Sequence, residues 1–382
     1  MGNIRSDSRA VIVSSLAHFD NDVLITVLPA VLPIVIGEFG LSYGIAGATL
    51  TAFTLFLSLL QAFMGYMGDR MNKILLLSLG LATLGTAAIL TSFSSSYIQF
   101  LVFQCLLGVG ASVYHPIGYS LTSDTFELGR RGKALGIVSA AGDIALAAAF
   151  ATTGFLVLVI GWRGIFMFWG LLALTSASIL GLTMVEKKRS LTITTRYRFD
   201  RKVIVRLIPV ITVMGLASAC YRIVNSFTTT YLTTMGLDIK SANIVTAFMF
   251  VLGVLGSIVV GVLTDRLGER KSILLTMAIL GAQSLILAYA VNVYFISIII
   301  ISMGFSMIGV WPPMYSAIAN LTKLGPRAFT YGVLFAISQS FGSLFPFISG
   351  TLADVFGLQI IYTIVSILSF TAVFVTYLML KK

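Results

Sequence analysis

The feature that most limits this chain is the recurrence of apolar stretches of about 20 residues, the length a helix needs to cross the hydrocarbon of a bilayer. Twelve such segments are read, at about 10–37, 43–67, 74–93, 97–122, 133–160, 163–184, 203–234, 241–263, 272–291, 293–321, 328–353 and 358–379. Of the 382 residues, 58% are hydrophobic and only 10% are charged, against about 25% charged in a soluble domain. A water-soluble core could not enclose that much apolar surface. The alternation of a membrane β-barrel is absent. Helices are then the only spanning solution, because hydrocarbon offers no partner to an unpaired backbone group. The first segment is too long for a cleaved signal peptide and carries Asp20 and Asp22. Cys105 and Cys220 both fall inside spans and read as packing residues.

Orientation follows from the bias of Lys and Arg toward cytoplasmic loops. All but three of the 25 basic residues (Arg163, Lys240 and Arg222) fall on one face of this topology. Both termini are therefore expected in the cytoplasm, with the chain in the cell membrane as a multi-pass protein. The net charge of +11 is a topology signal. It does not point to nucleic acid, since no basic face is interleaved with exposed aromatic residues.

Shifted by 196 positions, the sequence matches itself. Gly40 and Leu41 fall on Gly236 and Leu237. Gly65, Asp69 and Arg70 fall on Gly261, Asp265 and Arg266, and Gly108 falls on Gly304. Pro116, Tyr119 and Ser120 fall on Pro312, Tyr315 and Ser316. Arg131 and Gly136 fall on Arg327 and Gly332, Gly154 on Gly350, and Gly161 on Gly357. One gapless offset across six spans marks an internal duplication. The expected fold is an all-α membrane protein of twelve transmembrane helices in two pseudo-symmetric six-helix bundles. The first bundle is residues 1–185, a basic cytoplasmic linker follows at 186–202, and the second bundle is 203–382. In each half the turn after the second span pairs a Gly with Asp-Arg: Gly65, Asp69, Arg70 and then Lys73, and Gly261, Asp265, Arg266 and then Lys271. The Gly admits close helix approach, and an Asp at a helix end can cap a neighbouring N-terminus.

These loops, the twelve spans and the six-plus-six division resemble the major facilitator superfamily of transporters over the whole chain. In the first loop Asn72 stands where the superfamily pattern has Gly, and Lys73 where it has Arg. The resemblance implies that Asp69, Lys73 and Asp124 form a cytoplasmic gate, holding an outward-open state by contact with the start of span 11. Gly65, Arg70, Arg131, Gly261, Asp265 and Arg266 complete that gating set. The superfamily's antiporter signature in span 5 is not met: Gly136, Gly142 and Gly154 occur, but no Pro follows. A narrower resemblance, to fosmidomycin-resistance-type efflux transporters, is carried by His18-Phe19-Asp20-Asn21-Asp22, by Leu28-Pro29-Ala30 with Leu32-Pro33, by Glu38 to Tyr43, and by Tyr114-His115-Pro116.

Ionisable residues at bilayer depth cost about 2.5–3.5 kcal/mol each on insertion scales and are functional candidates by default. They are His18, Asp20, Asp22, His115, Asp143 and Arg222. His18 and Asp22 are four apart and share a helix face with Asn21 near by. Asp20 lies about 200° from His18 and points elsewhere. The resemblance places spans 1, 4, 7 and 10 around a central cavity, so His18 and Asp22 are expected there near His115, with Asp20 against a neighbouring span. These groups either satisfy one another and fix packing, or form a proton site of Asp20, Asp22, His18 and Asp143 that loads and releases as the cavity opens. Arg222, with Tyr221 and Asn225 beside it, either pairs with one of those carboxylates or binds an anionic substrate group bidentately. A substrate anion would then compete for it. Pro116, Pro312 and Pro313 interrupt spans 4 and 10 at equivalent depth. Trp311 and Tyr315 would present aromatic walls there, and Tyr114 and Gln339 are further polar candidates.

The expected function is a secondary active transporter moving a small organic or anionic compound by alternating access, as a proton-coupled antiporter working in efflux. Uptake by proton symport is the alternative, with divalent metal transport behind it, since His18, Asp22 and His115 are metal-competent. No enzyme activity, cofactor or resident metal is expected. The partners are the small-molecule substrate, protons and the lipid bilayer, and the chain is expected to act as a monomer.

Overall fold

The helices start and stop where the sequence punctuates it. In the computed structural model, residues 2–126, 128–184, 201–321 and 336–379 are described. Most of the expected linker, the first part of span 11, and the repeat partners Arg327 and Gly332 lie outside the described residues. Helix α1 spans Gly2–Phe39, α2 Tyr43–Gly68, α3 Lys73–Ser92, α4 Tyr97–Ala111, α5 Tyr114–Thr125 and α6 Leu128–Ile179. The chain continues with α7 Arg201–Thr234, α8 Ile239–Leu267, α9 Glu269–Leu287, α10 Val293–Gly309, α11 Trp311–Leu321, α12 Phe345–Phe356 and α13 Ile360–Met379. The described residues form no strand. Ten segments among them are long and apolar enough to cross a membrane. One of the ten, Arg130–Leu182, holds two of the expected spans, because α6 breaks at Gly161. Polar side chains close several N-termini: Asn72 accepts from the Leu75 amide, Ser96 from Gln99, Asp238 from Ser241, and Asn292 from Tyr294 and Phe295. Each satisfies a donor that has no intrahelical acceptor.

The duplication seen in the sequence is a duplication of backbone geometry. Gly40 and Gly236 both take positive φ, at 62° and 100°, and so do Gly161 and Gly357, at 65° and 81°. A side chain at any of the four would be strained. Gly108 leaves no room for a Cβ against the Phe53 carbonyl of α2, and Gly304 repeats that contact with the Met249 carbonyl of α8. Gly65 faces Pro116 as Gly261 faces Pro312. Spans 4 and 10 break just ahead of their prolines, at Ser112–Val113 between α4 and α5 and at Val310 between α10 and α11. A proline within the first turn of a helix needs no amide hydrogen, so α5 and α11 restart there without an orphaned acceptor.

The chain packs as two units, residues 1–28 with 52–195 and residues 29–51 with 196–382. In the first, α3 packs against α4 and α6; in the second, α10 lies on α8 and α13 on α9. The second unit takes in the C-terminal end of α1 and the start of α2. There Asn243 donates to the Ala30 carbonyl at 3.1 Å, and the Phe347 amide to Thr51 Oγ1 at 3.1 Å. The Asp354 carboxylate of α12 accepts from the amides of Tyr43 at 2.6 Å and Gly44 at 2.9 Å, capping α2.

Each half also carries a staple at the end of its second span. In the first, Lys73 at the start of α3 donates to Ser120 and Asp124 of α5. In the second, the equivalent position is Glu269, which accepts from the equivalent serine, Ser316, at 2.8 Å. The staple keeps its place and inverts its charge. Arg70 folds over Tyr66 with Cζ 3.4 Å from the ring centroid. Arg131 donates to the Phe126 carbonyl at 3.3 Å, and Asp265 and Arg266 are exposed.

Two outcomes follow from these ends. Asp354→Ala removes an acceptor from two helix-terminal amides and should lower the stability of the folded chain by about 1 kcal/mol. A thermal unfolding midpoint in detergent equal to wild type would show the cap contributes nothing. Asp69 behaves in the opposite sense. Burial raises its carboxyl above the ordinary 3.8, with Lys73 and Arg70 opposing and Asp124 adding to the shift. Stability from a carboxyl raised in this way is present below the unfolded pKa and lost as pH rises through the folded one. Asp69→Asn should therefore match or exceed the wild-type midpoint at neutral pH, and lose any advantage below about pH 4. A midpoint depressed at neutral pH would contradict that sign.

Candidate functional site

Polar side chains gather where α1 meets α5 and α6 inside the first unit. His18 is 4% exposed, Asn21 1% and Asp22 7%, in a segment whose neighbours are hydrocarbon. Groups so placed must find partners within the protein. One helical turn puts His18 Nε2 3.3 Å from Asp22 Oδ2. On the other side of the ring, His18 Nδ1 lies 2.7 Å from the Val138 carbonyl of α6. Asn21 donates to Asp22 Oδ1 at 2.8 Å.

The break between α4 and α5 turns an aromatic wall toward this pair. Tyr114 stacks on the His18 imidazole at 4.3 Å between ring centroids. His115 meets it edge-on at 5.5 Å, and Tyr119 edge-on at 5.8 Å. Tyr119 also stacks on His115, one helical turn away, and shares a hydrogen bond with Ser139 of α6 at 3.2 Å. Asp143, half-buried on α6, interacts electrostatically with both Asp22 and His18. The six groups His18, Asp22, Tyr114, His115, Tyr119 and Asp143 thus form one titratable cluster from three helices.

Asp20 stands apart. It is 5% exposed and takes a hydrogen bond from Ser176 in the second part of α6. The rings of Phe19 and Trp169, 6.1 Å apart between centroids, pack in the same region. Its Oδ2 atom has no hydrogen-bond partner among the described residues.

In the second unit, α7 carries Tyr221, Arg222 and Asn225. Arg222 and Asn225 are each 8% exposed, and Tyr221 packs edge-on to Phe250 at 6.4 Å. Gln339 accepts from Ser218 on α7 at 2.7 Å. Trp311 and Tyr315 stack at 6.0 Å on α11, with Tyr315 40% exposed. The second unit therefore offers a buried guanidinium and, on a separate helix, an aromatic face.

Sequence reasoning omitted several members of these sites. Tyr119 had a usable signal, its spacing of four from His115. Val138, Ser139 and Ser176 had none, because a backbone carbonyl and a lone serine in an apolar helix look like any other position. Gly142 was visible only as part of a glycine series; its contact with His18 depends on how α1 crosses α6.

Comparison with known proteins agrees with this architecture. The sequence matches the Major Facilitator Superfamily profile over residues 11–345 and 210–382. It is 24% identical over 366 residues to the fosmidomycin resistance protein of Escherichia coli, covering 93% of this chain and 88% of that protein. It is 30% identical over 152 residues to a probable L-galactonate transporter of the same organism, where the match spans only 33% of the relative and 40% of this chain. In structure it resembles a bacterial homologue of the human lysosomal transporter Spinster, in an inward-facing and unoccupied conformation. The TM-score there is 0.82 at 16% identity, over 98% of this chain and 97% of that one. The chain belongs to the Major Facilitator Superfamily.

Proposed function

We propose that the chain is a proton-coupled secondary transporter that exports a small organic or anionic compound by alternating access, as a monomer with both termini in the cytoplasm. The observation that carries this reading is the buried cluster around His18 and Asp22. A carboxylate and an imidazole held within an apolar bundle are expensive to insert, and such groups mark proton relays and substrate paths. The cluster supplies proton-coupling groups (His18, Asp22 and Asp143, with Asp20 as a separate carboxyl) beside a polar and aromatic surface (Asn21, Tyr114 and His115). Similarity to the fosmidomycin resistance protein over most of both chains supports efflux of small organic compounds. Arg222 suits an anionic cargo, because its planar fork matches carboxylate and phosphonate oxygens. L-galactonate, named for a relative matched over part of its length, is a carboxylate. Tyr221, Asn225, Gln339, Trp311 and Tyr315 are the further substrate-facing groups in this reading. The two Asp-Arg loops, with Asp124 and Arg131, serve as the gate.

The deciding experiment is proton flux in proteoliposomes carrying a pH-sensitive dye, across a panel of anionic and cationic compounds. Wild type should move protons when an active compound is added, in the direction opposite to the compound, and Asp22→Asn should reduce this to the rate of protein-free vesicles. Equal proton movement by the two proteins would remove Asp22 from the coupling path, and compound movement without protons would end the proton-coupled reading. Protons and compound moving together would mean symport. Arg222→Gln should raise KM for anionic compounds by about ten- to a hundredfold, the loss expected for a charge-assisted hydrogen bond, and leave cationic ones little changed. An equal loss for both classes would assign Arg222 to structure.

A further inference from the structure

We propose that His18 and Asp22 act as one proton-holding unit, with a single proton confined between Nε2 and Oδ2, and that Gly142 and the Val138 carbonyl of α6 are the positioning groups that enforce it. Its part in transport rests on the proton-coupled reading above; its geometry stands without that reading.

Six atoms form a line, from Val138 O through His18 Nδ1 and Nε2 and Asp22 Oδ2 and Oδ1 to Asn21 Nδ2. A backbone carbonyl can only accept, so the 2.7 Å contact between Val138 O and His18 Nδ1 requires a hydrogen on Nδ1. That fixes the tautomer: Nε2 is the only ring nitrogen left to gain or lose a proton. At the far end, the Asn21 amide donates to Asp22 Oδ1 at 2.8 Å, which engages Oδ1 as an acceptor and leaves Oδ2, the oxygen facing the imidazole, as the one that shares the proton. The two remaining sites, Nε2 and Oδ2, face each other at 3.3 Å. With one proton between them the pair is neutral overall, as imidazolium with carboxylate or as imidazole with carboxylic acid. With none, two lone pairs oppose one another and the pair carries one negative charge. With two, both atoms are donors and repel. Loading the unit forms one N–H or O–H bond and changes its charge from minus one to zero; release reverses both.

Gly142 explains how the ring is held at that point. A Cβ built at this position would lie 2.3 Å from His18 Nε2 and 2.4 Å from Cε1. Real contacts of that length do not occur, so any side chain at 142 would displace the imidazole from Asp22. A glycine inside a helix is less favourable than alanine by about 1 kcal/mol, which makes its place beside the proton-bearing nitrogen a structural requirement. Other groups face the pair from each helix that packs on it. Tyr114, His115 and Tyr119 come from α5, with ring centroids 4.3 to 5.8 Å from His18. Asp143, one residue beyond Gly142 on α6, interacts with both His18 and Asp22, and His115 interacts with Asp22. A deprotonated unit therefore places its negative charge near a second carboxylate.

The chain has only two histidines, so nitrogen-15 spectra of histidine-labelled full-length protein in lipid nanodiscs can resolve His18, identified as the signal missing from His18→Gln. The expected result is Nδ1 protonated throughout the pH range, with proton exchange confined to Nε2. Asp22→Asn should shift the pH at which Nε2 titrates. Gly142→Ala, which retains every charge and polar group, should release the ring into a mixture of tautomers. In proteoliposomes it should lower compound-driven proton flux by about ten- to a hundredfold, the range for losing one charge-assisted hydrogen bond. A neutral His18 with Nδ1 unprotonated overturns the proposal, as does a His18 titration that Asp22→Asn leaves in place, or a Gly142→Ala spectrum identical to wild type. If Gly142→Ala does not fold, the wild-type and Asp22→Asn spectra still decide. Wild type that shows the locked tautomer and moves no protons with any compound sinks the transport reading alone. Proton flux with an unprotonated Nδ1 sinks the shared-proton unit alone.

Discussion

Hydrocarbon supplies no hydrogen-bond partner, and that constraint governs where the helices of this chain cross. A buried polar side chain finds its complement on its own helix, as Thr26 does at the Asp22 carbonyl, or on a neighbouring one at a particular depth and rotation. Ser14 on α1 donates to the Gly118 carbonyl of α5, and Thr122 donates to Ser14 in turn. Ser78 on α3 donates to Ala177 on α6. Ser366 on α13 donates to the Gly281 carbonyl of α9. None of these contacts is a large source of stability taken singly. Together they fix which faces meet, and the glycines that let backbones approach do the rest. The His18 cluster follows the same rule in a more demanding form, because its members can gain and lose protons.

Duplication supplies the frame and divergence supplies the chemistry. Positive-φ glycines, close backbone approaches and the breaks ahead of the span 4 and span 10 prolines recur at one offset, as expected of features that shape a bundle. Of the six groups in the titratable cluster, only Tyr119 recurs, at Tyr315. The positions equivalent to His18 and Asp22 are Met214 and Ser218, and the position equivalent to His115 is Trp311. Conversely, Arg222 falls on Thr26. The first half carries the buried ionisable cluster, and the second carries the buried Arg222 guanidinium and an aromatic face. Even the shared staple has diverged, with Lys73 in one half and Glu269 in the other holding equivalent serines.

Much of this was legible in the sequence, for physical reasons. The helical class and the repeated crossings follow from hydropathy, because the bilayer fixes the length of every crossing. The repeat was legible because left-handed turns and tight crossings tolerate few residues besides glycine, so those positions stayed recognisable. The i, i+4 pairing of His18 with Asp22 and the divergence of Asp20 follow from helix geometry alone. The meeting of His18 and Asp22 with His115 was expected from the resemblance, but most other contacts across helices were not legible. That Val138 offers its carbonyl to His18, that Ser176 reaches Asp20 and that Asp354 caps α2 depend on helix rotation and relative depth, which local pattern does not encode. The Glu269–Ser316 contact was within reach, since Lys73 and Ser120 lie at the matching offset; the change of sign concealed it.

The allocation of residues 29–51 to the second unit bears on how the chain is made. Their partners (Asn243, Phe347 and Asp354) lie 213 to 311 positions further along. During synthesis from the N-terminus, the end of α1 and the start of α2 enter the membrane long before anything exists to cover them. The Tyr43 and Gly44 amides and the surface at Gly44 and Gly47 stay open until α12 arrives. Most of the first half can settle early from its own contacts, whereas this hairpin must wait. A ribosome that stalls late, or a truncation that removes α12, would therefore leave an unfinished surface near the beginning of the protein rather than at its end.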